Sequence, residues 1–139
     1  MARLVWKTNA HGSAEARELL DGMFDVWLAD FKFGNDECAL RLAKVPGYVR
    51  IVKVNLLWAN RRSDLIVRHL LMPGHVDCCW RPVAEWLAAE LPGVKVNLRS
   101  GFWPAWHAAR HPELRATVPS AETRRALAIA RTCGLNLIP

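Results

Sequence analysis

Leu65-Ile66-Val67-Arg68-His69-Leu70-Leu71-Met72-Pro73-Gly74 is the stretch whose reading sets the fold. An apolar run closing on Pro-Gly predicts a strand over 65–72. Behind it, Val83, Trp86, Leu87 and Leu91 recur at the spacing of one helical face, with Asp77 as the expected N-cap and Pro92-Gly93 as the stop. Val94 to Ser100 then alternates, Val94, Val96 and Leu98 against Lys95, Asn97 and Arg99, which is strand periodicity. Two strands joined by a helix pair in parallel through a right-handed crossover.

The same unit recurs outward from this stretch. Leu4 to Thr8 reads as a strand, and Ser13 as the N-cap of a helix through Leu20 that stops near Gly22. Asp25 to Phe33 is a second strand whose Val26-Trp27-Leu28 run suits burial on both faces. Asp36 is expected to cap a short helix through Lys44, and Tyr48 to Arg62 a further helix, its Val49, Val52, Leu56 spacing outweighing its β-branched content. Past a loop bearing Phe102, Trp103, Pro104 and Trp106, Ser120 caps a last helix ending at Gly134, and Leu135 to Ile138 forms a terminal strand. The class is α/β. A closed eightfold barrel takes about 250 residues, nearly twice this chain, so the expectation is a partial (β/α) barrel of about four β-α units, cut where the chain opens directly on a strand.

A chain of 139 residues is one domain, and 52% hydrophobic with 23% charged residues gives a core-forming composition, not a disordered one. Its apolar runs fall well short of the roughly 18 residues of a membrane span. Met1-Ala2-Arg3 leads straight into Leu4-Val5-Trp6 without the pattern of a signal peptide, so a cytoplasmic location and no membrane partner are expected. The net charge of +6 favours anionic partners. No stripe of basic residues interleaved with exposed aromatics occurs, the nearest runs being the pairs Arg61-Arg62 and Arg124-Arg125, so nucleic-acid binding is not expected.

Cys38, Cys78, Cys79 and Cys133 show no metal-ligand spacing, and adjacent cysteines do not readily chelate one ion, so they read as reduced thiols and no metal site is expected. A cap at Asp77 accounts for the crowding of His75, Asp77, Cys78 and Cys79. His107 and His111 are four apart, but nothing completes a site around them, and they read as loop or surface histidines. Phe102, Trp103 and Trp106 could lid a channel.

Parallel β/α folds hold their ligands at the carboxyl ends of the strands. Thr8 and Asn9 end the first strand, Asp30 and Lys32 the second, Arg68 and His69 lie late in the third, and Asn97 and Arg99 occupy the polar face of the fourth. Asp30 and Lys32, two apart, project from one face, which suits either an internal ion pair or recognition of a zwitterion.

Lys7-Thr8-Asn9-Ala10, Leu19-Leu20-Asp21, Asp25-Val26-Trp27-Leu28-Ala29-Asp30-Phe31-Lys32 and Val67-Arg68-His69-Leu70-Leu71-Met72-Pro73-Gly74 resemble, in order and spacing, radical S-adenosylmethionine enzymes of the pyruvate formate-lyase activating-enzyme type. The resemblance spans most of the chain and matches the family's carboxyl-terminal half. The Cys-x-x-x-Cys-x-x-Cys motif and the Gly-Gly-Glu strand that precede this half in the family do not occur here, the family's Asp before Thr-Asn is Lys7, and its late histidine aligns with the stretch from Asn97 to Phe102.

What the resemblance implies is S-adenosylmethionine and a [4Fe-4S] cluster as cofactors, the cluster ligands lying outside this chain. The cluster chelates the cofactor's methionine group and, given one electron, yields a 5′-deoxyadenosyl radical, while the barrel orients and shields the reactants. Lys32 would hold the cofactor carboxylate, Asp30 would act in the same site, Arg68 would add positive charge, and Thr8 and Asn9 would line the same mouth. The partners implied are a first-half chain or upstream segment and a protein substrate. The chain alone, from a truncated or split reading frame or beside a separate first half, would be inactive and would hold no cluster. The competing expectation is a non-catalytic half-barrel binding or assembly module.

Overall fold

The computed structural model describes residues 1–139. Five strands, β1 (Val5–Thr8), β2 (Val26–Asp30), β3 (Asp64–Leu70), β4 (Lys95–Arg99) and β5 (Asn136–Leu137), form one sheet in the order β1-β2-β3-β4-β5. Every neighbouring pair is parallel. The helices between them are α1 (Ala14–Leu20), α2 (Asp36–Ala43), α3 (Tyr48–Asn60), α4 (Arg81–Glu90) and α5 (Ser120–Thr132). An α/β chain with a parallel sheet is therefore what the alternating pattern forms.

Strand order that follows chain order without reversal has a consequence. Right-handed crossovers then carry every helix to the same face of the sheet. Burial agrees: in β3, Leu65, Val67 and His69 are buried beneath the helices, whereas Asp64, Ile66, Arg68 and Leu70 on the opposite face are only half-buried. The core joins Trp27, Ala29, Leu65, Val67 and Val96 of the sheet to Val52 and Leu56 of α3, Val83 and Leu87 of α4 and Ala126 and Ile129 of α5. Leu56 and Leu87 are at most 1% exposed, and each such side chain contributes about 1.5–3 kcal/mol of apolar burial.

The strands are shorter than their apolar runs suggest. Phe31 and Leu71 each keep one last cross-strand hydrogen bond, the Phe31 amide donating to the Arg68 carbonyl at 2.9 Å and the Leu71 amide to the Arg99 carbonyl at 2.8 Å, and beyond them the chain turns into the connections that carry the site. Three caps also differ from expectation. Asn35, not Asp36, caps α2, its Oδ1 accepting from the Cys38 amide at 2.7 Å. Ser120 is the first residue of α5, behind Pro119, and makes no cap. Asp77 caps nothing: it lies in a single π-helical turn, Val76–Trp80, that runs straight into α4, and its carboxylate accepts from Arg81 at 3.2 Å and Arg125 at 2.8 Å. Ser13 does cap α1, accepting from the Ala16 amide at 3.2 Å. No helix is long and apolar enough to cross a membrane.

Candidate functional site

The carboxyl ends of β2, β3 and β4 converge on a cleft of about 340 Å³ lined by Asp30, Lys32, Arg68, Leu70, Arg99 and Gly101. Register explains the convergence. Asp30 is paired with Arg68, and Leu70 with Arg99, so side chains of like parity stand side by side on the face that no helix covers. Asp30 accepts from Arg68 through both oxygens, Nε at 2.8 Å and Nη2 at 3.2 Å, and lies 3.6 Å from Lys32 Nζ. Arg99 takes part in no ion pair. Three cations against one carboxylate leave the cleft with a surplus of two positive charges.

Lys32 is held from behind. Its backbone amide donates to the Tyr48 hydroxyl at 2.8 Å, and burial pushes that phenol up to about 12, so it stays neutral. The Lys32 side chain is 46% exposed, free to turn its ammonium toward a ligand.

The other expected residues are placed differently. Thr8 Oγ1 accepts from the Ala10 amide at 3.1 Å and Asn9 Oδ1 from the His11 amide at 3.0 Å, so both shape the turn after β1. Asn55 pins that turn from α3, donating to the Ala10 and Gly12 carbonyls at 2.8 and 2.9 Å. Asn9 shares a smaller cavity with Lys32, whereas Thr8 lines neither that cavity nor the cationic cleft. His69 points into the core, its Nδ1–H donating to the Phe31 carbonyl at 2.6 Å, and desolvation lowers its pKa to about 4. Trp103 and Trp106 stand exposed.

A second constellation was not foreseen from the sequence. Cys38 on the first turn of α2 meets His75, Cys78 and Cys79 from the connection after β3, and these four residues could hold a metal ion. The expectation, drawn from spacing, that the cysteines offer no metal site is thus corrected: Cys38, Cys78 and Cys79 come together, and only Cys133 stays apart. The cause is packing between adjacent connections. Gly34 brings the chain after β2 so close to the π turn that a Cβ there would lie 2.4 Å from the Cys79 carbonyl oxygen, and Asn35 Nδ2 donates to the Cys78 carbonyl at 2.8 Å. Burial pushes the Cys78 and Cys79 thiols up and the His75 imidazole down. In a four-iron cubane each thiolate binds its own iron and the ligating sulfurs stand well apart, so thiols 3.9 Å apart do not fit that cluster. The arrangement suits a single ion.

The backbone as a whole superimposes on a crystal structure of a domain of pyruvate-formate lyase-activating enzyme from Bacteroides vulgatus, with a TM-score of 0.71 over 94% of this chain and 77% of that one. The chain has the fold of an activating-enzyme domain. Sequence identity between the two is 17%, so the likeness is one of fold. In sequence, the chain is 37% identical over 135 residues to the uncharacterized protein MJ0674 of Methanocaldococcus jannaschii. That match takes in 97% of this chain and spans 40% of the relative's length. No protein-family model matches the chain.

Proposed function

We propose that this chain forms part of the barrel of a radical S-adenosylmethionine enzyme similar to the glycyl-radical activating enzymes, and that its cationic mouth receives the methionine carboxylate of the cofactor. The observation that carries the reading is the charge of the cleft: Asp30 is matched by Arg68, and the ammonium of Lys32 and the guanidinium of Arg99 remain available at the carboxyl ends of parallel strands. The sequential strand order and the sheet face without helices are what a segment of a (β/α) barrel presents to its lumen.

The donor set fits an α-amino-carboxylate. Lys32 and Arg99 supply donors for the carboxylate, and Asp30, held by the Arg68 fork, supplies the negative pole for an amino group. A [4Fe-4S] cluster, bound by a segment carrying the three-cysteine motif, would supply the electron that cleaves the cofactor. The residues of this chain orient that cofactor, and the strands of its open face wall off the lumen. Without that segment the chain is inactive, and its protein substrate engages the completed barrel.

The test is anaerobic reconstitution of the full-length protein, with the cluster-binding segment joined to this chain, followed by reduction in the presence of S-adenosylmethionine. Release of 5′-deoxyadenosine, abolished by changing the cluster cysteines, supports the reading. A full-length protein that binds neither cluster nor cofactor contradicts it.

One observation favours a second reading, a half-barrel module that assembles without catalysis. Edge strand β1 leaves Val5 52% exposed beside Leu4 at 58%, an unpaired apolar edge open to another sheet. Symmetric dimers with no affinity for the cofactor would support it.

A further inference from the structure

The four side chains brought together after β2 and β3 have a geometry that the cofactor mouth does not use. Cys79 is fully buried, His75 is 4% exposed and Cys38 9%, and only Cys78 reaches the surface. Their polar atoms face one another. The Cys38 and Cys78 sulfurs are 3.9 Å apart, as are those of Cys78 and Cys79. His75 Nδ1 stands 3.7, 3.2 and 3.6 Å from the sulfurs of Cys38, Cys78 and Cys79. All four ligand atoms lie within 4.8 Å of one another.

These are the edges of a tetrahedron of the right size. Zinc–sulfur bonds of about 2.3 Å and zinc–nitrogen bonds of about 2.0–2.1 Å at tetrahedral angles put ligands about 3.8 Å apart for sulfur pairs and about 3.5 Å apart for sulfur and nitrogen. The surroundings match as well. The other imidazole nitrogen, Nε2, faces Glu113 Oε1 at 3.4 Å, and Arg41 holds Glu113 at 2.6 Å, which orients the ring with Nδ1 toward the sulfurs in the manner of a carboxylate–histidine–metal relay. Asn35 Nδ2 lies 3.4 Å from the Cys38 sulfur, a donor that suits a thiolate. The π turn is what lets adjacent residues serve one ion, because its wider winding lets Cys78 and Cys79 turn their sulfurs toward the same point.

We propose that Cys38, His75, Cys78 and Cys79 bind one zinc ion in a closed Cys3His tetrahedral site that ties α2 to the connection between β3 and α4. Four protein ligands leave no open position, so the role is structural. Binding exchanges thiol protons for the ion, with no change of oxidation state. The site belongs to this chain alone and does not depend on the cofactor reading.

The test is metal analysis of the full chain purified with zinc and without chelator, together with titration of the reduced apo-protein with cobalt(II). The expected result is one zinc per chain and a cobalt spectrum with thiolate charge-transfer and intense tetrahedral d–d bands. Cys78→Ser, at the exposed rim, should weaken zinc affinity tenfold or more, and Cys133→Ser should leave it unchanged. Because the cobalt titration uses the unaltered chain, it does not depend on any variant's folding. A chain that stays metal-free after zinc addition, an octahedral cobalt spectrum, a Cys38–Cys78 disulfide in place of metal under reducing purification, or equal affinities for Cys78→Ser and Cys133→Ser would overturn the proposal.

Discussion

Arg68 and Asp30 sit directly opposite each other on adjacent parallel strands, and the guanidinium meets the carboxylate edge-on through two hydrogen bonds of 2.8 and 3.2 Å. This fork fixes the shape of the cleft and isolates a carboxylate that is 9% exposed. Arg68→Ala leaves Asp30 with only the longer contact to Lys32, and a carboxylate deprived of its main partner at such depth costs about 1–3 kcal/mol. Arg68→Lys keeps the charge but not the fork and should recover only part of that. Urea denaturation of the three proteins checks the order; a fully stable Arg68→Ala would show the pair to be incidental.

Stability should fall in mild acid because of His69. The imidazole is buried and its pKa is lowered to about 4, while in the unfolded chain it titrates near the ordinary 6.5. Between those values the unfolded state binds the extra proton, so stability is fully present above about pH 6.5 and is lost as the pH falls toward 4. The shift corresponds to roughly 3 kcal/mol. Denaturation at pH 7.5, 6 and 5 should show the decline, and His69→Asn, which keeps a donor for the Phe31 carbonyl, should flatten it. An unchanged slope in that variant would assign the decline to other groups.

Gly34 is required by space, not by backbone conformation. A Cβ there meets the Cys79 carbonyl oxygen at 2.4 Å and the Cys79 Cα at 2.8 Å, and neither is the movable end of a side chain. Gly34→Ala should therefore destabilise by about 1–3 kcal/mol, whereas Gly101→Ala, which meets nothing within 4 Å, should be nearly neutral. Equal midpoints in chemical denaturation would mean that the two connections are not in tight contact.

The sheet was legible because the strands carry their own record: β2 and β3 are short apolar runs closed by Gly34-Asn35 and Pro73-Gly74, and β4 alternates. Asp30 and Lys32 followed from parity along β2, and Arg68 from its place late in β3. The Cys/His cluster was not. Cys38 is separated from Cys78 by a whole helix and strand, and adjacent cysteines look unable to share an ion until a π turn brings their sulfurs within 3.9 Å. One signal was available: Cys38 follows the end of β2, and His75 and Cys78 follow the end of β3, so loops at the same end of two neighbouring parallel strands carry all the ligands. Asp77 misled because a capping rule is local, whereas its actual partners, Arg81 and Arg125, include one that only the tertiary fold supplies.

Lys32 offers the most direct test that the mouth binds the carboxylate of S-adenosylmethionine. On the proposed reading, with a cluster-bearing first half supplied, a charge-assisted contact of about 1.5–3 kcal/mol would make Lys32→Ala lose about tenfold or more in affinity. Lys95, paired with Asp64 at 2.9 Å toward the opposite end of the sheet, is the control, and Lys95→Ala should change affinity little. Calorimetric titration of both variants with S-adenosylmethionine and with its decarboxylated analogue isolates the contact: the account predicts a loss specific to Lys32→Ala that vanishes with the analogue. Equal losses in the two lysine variants, or an unchanged affinity in Lys32→Ala, would contradict it.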